Sequence, residues 1–167
     1  MKTLTMAIAV LGVVSMASAD SLKNQIAEMN KKVGKTIVKQ DYKGFEKIVK
    51  AGVTKDFKYI EGGQTMNLDQ MLAMVKQSFS PQMKVSKADS KILSFSQKAK
   101  SATATVKHTM VGKMMGPDKK WHSMTQEGTS TDTYTMVGKE WKMSSMSWGE
   151  MKMTMDGKPF DPSKAGG

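Results

Sequence analysis

Apolar side chains at Leu22, Ile26, Met29, Val33 and Ile37 recur in steps of four, three, four and four. One stripe of an amphipathic helix has that spacing, which predicts a helix over residues 21–40. Asp41 then stands where a cap belongs, ahead of a short helix, YKGFEKIVKAG, whose Phe45, Ile48 and Val49 share a face. DFKYIE (56–61) alternates like a short strand, and Gly62-Gly63 ends it. Asn67 opens a third helix, with Gln70 at the capping-box position and Leu68, Met71, Leu72, Val75 and Phe79 on its apolar face. Ser80-Pro81 stops it.

After about residue 83 the period changes from helical to alternating. KILSFSQ (91–97) reads as one strand and ATATVKHTMVGKM (102–114) as the next. In the latter, Ala102, Ala104, Val106, His108, Met110 and Met114 take one side, and Thr103, Thr105, Lys107, Thr109 and Lys113 the other. One face is therefore buried and one wet. GPDKK (116–120) is a turn, and a long strand follows from Trp121 to Val137, with Gly128 the expected bulge. Gly138-Lys139 fits a two-residue hairpin turn. A last strand runs from Glu140 through KMTM, and Asp156-Gly157 turns the chain before Pro159-Phe160. Three helices followed by a long antiparallel sheet define an α+β layer arrangement.

The hairpin turn fixes a register. With Val137 facing Glu140, Met136 lies opposite Trp141, Tyr134 opposite Met143 and Asp132 opposite Ser145, all on the apolar face. The same counting across GPDKK places His108 opposite Gly128 and His122 opposite Met114. A carboxylate on an apolar face costs several kcal/mol unless it is bonded, or else its pKa rises. Asp132 is thus either tied to neighbouring hydroxyls at a bend of the sheet, through Ser145, Tyr134 or His108, or tuned for proton transfer. With His108, also on an apolar face, it makes the best acid–base pair in the chain.

The residues before this fold read differently. Lys2, the apolar run LTMAIAVLGVVSM (4–16) and Ala17-Ser18-Ala19 have the layout of an export signal, which gives a leader over 1–19 and one domain over 20–167. The apolar run is too short to span a bilayer, and with no cysteine in the chain there is no thiol for a lipid anchor or a disulfide. A secreted or periplasmic protein without a membrane anchor is expected. The net charge is +11, and every basic residue apart from histidine is lysine. Nucleic-acid readers rely on arginine for bidentate and stacking contacts, and these lysines are scattered, so a nucleic-acid partner is not expected.

Thr131-Asp132-Thr133-Tyr134, then Val137-Gly138-Lys139-Glu140-Trp141-Lys142-Met143, then Asp156-Gly157-Lys158-Pro159, together with the order of elements, resemble the nuclear transport factor 2-like superfamily, especially its small SnoaL-like bacterial members. The resemblance implies three helices packed on a strongly curved antiparallel sheet, a cystatin-like, cone-shaped half-barrel. It implies a pocket between the first helix and the sheet, lined here by Asp132, Tyr134, Trp141, His108, Met143 and Tyr59. It also implies a homodimer through the outer sheet face, where Thr131, Thr133 and Thr135 would lie.

Such a pocket suits a small, partly apolar molecule, bound without a cofactor. The alternative is a cofactor-independent lyase, isomerase or cyclase with Asp132 or Glu61 as base and His108 as partner. Tyr59 would share a face with Glu61. In the ketosteroid-isomerase branch a tyrosine on the first helix serves as oxyanion donor, and residues 21–40 contain none. A further reading uses thioether and imidazole ligands, Met114, Met124 and His122, to handle copper. Methionine is also a filler of irregular cores, and the 18 methionines spread through helices and strands alike. The leader is directly testable: N-terminal sequencing of the exported protein is expected to begin at Asp20, and retention of Met1 would contradict it.

Overall fold

The computed structural model describes residues 19–116 and 118–160. The leader assigned to 1–19 therefore lies, but for Ala19, outside the described residues. Helix α1 (Ala19–Val38) is followed by α2 (Tyr42–Gly52), strand β1 (Val53–Glu61), β2 (Gln64–Met66) and α3 (Leu68–Ser78). Four long strands come next: β3 (Met83–Lys98), β4 (Ser101–Met115), β5 (Trp121–Val137) and β6 (Glu140–Met155). A short β7 (Lys158–Pro159) closes the described chain. Among the described residues no helix is long and apolar enough to cross a membrane.

The helix ends are where their caps put them. Asp41 accepts a hydrogen bond from the Gly44 backbone N–H at 2.9 Å and so starts α2. Asn67 and Gln70 exchange side-chain and backbone bonds in a full capping box at the start of α3. Helix α1 ends two residues before the predicted limit, and Gln40 turns the chain with φ of 56°.

The seven strands form one curved, unclosed sheet in the order β2-β1-β6-β5-β4-β3, with β7 on β6. The expectation of an antiparallel sheet needs correcting. Strand β1 lies parallel to β6, so the sheet is mixed. Two strands are also longer than their alternation indicated, since β3 begins at Met83 rather than 91 and β1 at Val53 rather than 56. Strand β2, which pairs with β1 across Gly62-Gly63, was not anticipated because three residues carry no readable period.

Predicted and observed registers agree from Val137↔Glu140 to Tyr134↔Met143, and then part. Strand β6 takes one extra residue, Ser144, so Asp132 faces Met146 and not Ser145. Near Gly128 the sheet is bulged as expected, but the extra residue is again on β6, where three steps from Met151 to Trp148 oppose two from Gly128 to Ser130. Pairing of β5 with β4 runs unbroken, giving His108↔Gly128 and Met114↔His122 as predicted.

Two apolar clusters hold these layers. Leu22 and Ile26 of α1 pack on Ala102, Ala104, Val106 and Tyr134 of the sheet. Phe45, Val53, Phe57, Tyr59, Met71 and Leu72 join α2, α3 and β1, with Val33 and Ile37 of α1 against them. One glycine sets how closely α1 lies on β3. A Cβ on Gly34 would run into the carbonyl oxygen of Ala88, a backbone atom that cannot step aside cheaply. Ala ordinarily favours a helix over Gly by about 1 kcal/mol, so the sign is diagnostic. Gly34→Ala is expected to destabilise the protein by about 1–3 kcal/mol in urea unfolding; a gain in stability would show that α1 can lift off the sheet freely.

Candidate functional site

Alternation puts one side of every long strand towards α1. Between that helix and the sheet is a cavity of about 380 Å³, walled on the helix side by Ile26, Met29, Asn30 and Val33. Tyr134, Trp141, His108, Met143 and Tyr59 all stand on its lining, as do Met146 and Trp148 of β6. Asp132 does not. It is 0 % exposed and sits behind the wall, which corrects its expected place on the lining. Glu61 is not on the lining either. Its carboxylate accepts the Tyr59 hydroxyl at 2.8 Å, at the end of β1. Burial, reinforced by Glu61, moves Tyr59 well above the ordinary phenol range, so Tyr59 is a fixed donor and not an acid.

His108 and Asp132 do not touch; Ser130 joins them. The Ser130 hydroxyl donates to Asp132 Oδ1 at 2.7 Å, and its oxygen lies 2.9 Å from His108 Nε2. On the other side of the ring, His108 Nδ1 is 2.9 Å from the hydroxyl of Ser90. Ser130 escaped the sequence reading, although the signal was there. It is two residues from Asp132 on the same face, diagonal to His108, and a small hydroxyl in an apolar row is itself informative.

Local geometry explains why the ring reaches Ser130. Gly128, directly opposite His108, leaves space for a side chain, and Trp148 fills it, within about 3.0 Å of where a Cβ would be. The Trp148 and His108 rings then meet with centroids 4.7 Å apart, tilted by 46°.

Burial perturbs both ionisable groups in opposite directions. It pushes the Asp132 carboxyl up to about 6, with the Ser130 hydrogen bond and the nearby Tyr134 phenol drawing it partly back. Asp132 Oδ2 itself has no hydrogen-bond partner. The phenol therefore acts on it from outside bonding geometry, and in turn Tyr134 is raised well above the usual range by burial and then by the carboxylate. Burial alone lowers His108 to about 4. In water imidazole holds a proton more tightly than a carboxylate. Here that order is inverted.

The methionine–histidine candidates fall elsewhere. Met114 is directly opposite His122, and Met124 is fully buried beside Met155. Both nitrogens of His122 face carboxylates, Nδ1 to Asp156 at 2.7 Å and Nε2 to Asp118 at 3.0 Å. The hydrogen bonds to Asp156 and then Asp118 raise its pKa and occupy both ring nitrogens, so a copper ion would have to displace one of them. Among the described residues no group of three or more His, Cys, Asp or Glu is arranged to hold a metal ion.

Compared by sequence, the chain matches no protein-family model and no curated protein. Compared by structure, it is similar to a nuclear transport factor 2-like superfamily protein from Salmonella enterica serovar Typhimurium, with 13% identity, a TM-score of 0.56, and coverage of 90% of this chain and 99% of that one. A type 2 hexachlorocyclohexane dehydrochlorinase aligns with 12% identity and a TM-score of 0.55 over 86% of this chain and 93% of its own. A putative scytalone dehydratase from Novosphingobium aromaticivorans aligns with 9% identity and a TM-score of 0.55 over 78% and 87%. The chain has the nuclear transport factor 2-like fold.

The buried carboxyl makes a signed prediction. An acid whose folded pKa is raised contributes stability that is present below the unfolded value, about 3.9, and lost as pH rises through the folded one. With that folded value at about 6, ionising Asp132 costs roughly 1–3 kcal/mol. Asp132→Asn removes the dependence, so its stability relative to the parent is expected to improve by that amount between about pH 4 and pH 8. Urea unfolding at both values checks this; a pH-independent difference would mean that folding does not raise the Asp132 pKa.

Proposed function

We propose that this protein binds a small, partly apolar molecule in the cavity between α1 and the sheet, and that it does so outside the cytoplasm after removal of a leader over residues 1–19. The cavity itself carries the reading. Its walls are mainly aliphatic, aromatic and thioether side chains, with a few polar groups among them, including His108, whose ring nitrogens are held by Ser90 and Ser130. That mixture is typical of sites for small organic ligands, where apolar area supplies affinity and one or two polar groups set orientation.

A second reading, a lyase, isomerase or cyclase, is favoured by one observation: His108 stands on the wall with Ser130 and Asp132 behind it. Two of the similar structures are named as a dehydrochlorinase and a putative dehydratase. Against catalysis, an imidazole lowered to about 4 is a weak base at neutral pH, and Asp132 cannot reach a substrate. Binding is therefore the preferred reading.

Trp141 and Trp148 make the test simple, since both line the cavity and both fluoresce. Small aromatic alcohols and hydrocarbons are expected to shift that emission with saturable binding. Val33→Phe, which fills space on the helix side, is expected to weaken binding by about tenfold or more while leaving the melting temperature within a few degrees. No saturable binding by any of these compounds, or equal binding by Val33→Phe, would defeat the proposal. Turnover of a bound compound that His108→Gln abolishes would install the enzymatic reading instead.

A further inference from the structure

Four side chains on the cavity side of the sheet form one continuous line of hydrogen bonds: Ser90, His108, Ser130 and Asp132, joined at 2.9, 2.9 and 2.7 Å. The inner end is a carboxyl group sealed from solvent. The outer end, Ser90 on strand β3, is exposed and stands on the cavity lining. We propose that Ser90 is the ligand-facing end of a relay whose polarity is set by the protonation of Asp132, and that at neutral pH it accepts a hydrogen bond from a hydroxyl or N–H group of the bound molecule. This rests on the cavity being the binding site.

Each bond in the line has one proton, so the direction of one fixes the direction of all. An ionised carboxylate only accepts, so the Ser130 hydroxyl must point at Asp132. Ser130 oxygen is then left as acceptor, and His108 supplies Nε2–H. A neutral ring with Nε2–H has a bare Nδ1, which takes the Ser90 hydroxyl proton. The Ser90 donor is thereby used up inside the wall, and what Ser90 offers the cavity is lone pairs. A ligand that donates is matched there, and one that only accepts is not.

Protonating Asp132 on Oδ1 reverses the line. The carboxyl donates to Ser130, Ser130 to Nε2, and Nδ1–H to Ser90, whose hydroxyl is released towards the cavity. The added proton enters at the cavity end: Ser90 takes it and passes its own to Nδ1, Nε2 gives its proton to Ser130, and Ser130 gives its own to Asp132, so one positive charge is taken up from the cavity and neutralises the carboxylate. The charges around it leave this switch to Asp132. The groups that act on the carboxyl are Ser130 and Tyr134, both from its own strand. Strand β4 presents Ala104 to it, β6 presents Met146, and the α1 side chains packed on this part of the sheet are Leu22 and Ile26. Asp89, next to Ser90, is paired with Lys87 at 2.9 Å, and no charged group acts on His108 beyond its burial. His108 itself stays neutral through the window in which Asp132 titrates, because burial lowers it below the carboxyl.

Two measurements on the full chain test this, and they fail separately. Long-range 15N–1H correlation of the histidine rings, without ligand, is expected to show His108 as the Nε2–H tautomer at about pH 7.5 and as Nδ1–H at about pH 5, with a midpoint shared by the Asp132 carboxyl carbon. Ser130→Ala is expected to abolish the exchange of tautomers. An unchanged tautomer, or direct conversion to imidazolium, overturns the relay.

The second measurement compares 1-naphthol with 1-methoxynaphthalene by chemical-shift titration at about pH 7.5. Naphthol is expected to bind about five- to tenfold more tightly, the worth of one hydrogen bond, with the advantage shrinking at about pH 5. Ser90→Ala, an exposed substitution that leaves the core untouched, is expected to remove the preference. Equal binding of the two compounds by the parent refutes the contact at Ser90 even if the tautomer switches. If neither compound binds, the cavity reading and the ligand class both fall, and the tautomer experiment still decides the relay.

Discussion

Withdrawing the carboxyl group of Asp132 from water imposes a cost that its neighbours are arranged to meet only in part. One oxygen has the Ser130 hydroxyl, and the other has no partner. Burying a charge is expensive because the low-dielectric interior cannot replace its hydration, and the usual escape is to hold the proton. That single constraint organises the surrounding chemistry. It spends the Ser130 donor on the carboxylate and obliges His108 to supply the next one. It also makes the buried acid, rather than the histidine, the group that responds to a mildly acidic medium.

The scaffold around it accounts for why the constraint is tolerated. Helix α1 lies close enough on β3 to need a glycine at residue 34, and its Leu22 and Ile26 cover the apolar row of β4. Water is thereby kept from Asp132 on the helix side while the cavity opens further along the same helix, beside Asn30 and Val33. The parallel contact of β1 with β6 brings a second set of walls, including Tyr59, to that opening. A cavity wall and a sealed carboxyl joined through one side chain, Ser130, is the resulting arrangement.

Most of this was legible from local patterns, and what was not has identifiable causes. Periodicity located all three helices because a cap or a break marks their ends, as at Asp41, Asn67 and Pro81. The β5–β6 register was readable next to its turn, since a two-residue loop leaves one pairing. It was lost at Ser144 because a bulge leaves no trace in alternation. Asp132 still faced inward as inferred, because β5 itself is unbroken there. The parallel β1–β6 pair joins residues far apart in sequence, and no local signal encodes that choice. For the site, alternation brought His108 and Asp132 to one face but could not say that they would be one residue out of reach. Ser130 could be placed on that face by the same alternation, but not its role as the link, because that depends on where a ring tilts, and the tilt depends on an absent side chain.

That absent side chain is Gly128. Adding a methyl group there would press on Trp148 and on Met151 at about 3 Å, in the space the indole now fills. Trp148 in turn backs the imidazole of His108. The acid–base character of the wall is therefore under the control of volume as well as of charge. One carbon atom at a position with no ionisable group could tilt the ring off Ser130, cut the carboxyl from the cavity, and leave every titratable residue of the protein in place. Substitutions that look innocuous by chemistry are, at this point of the sheet, changes of circuit.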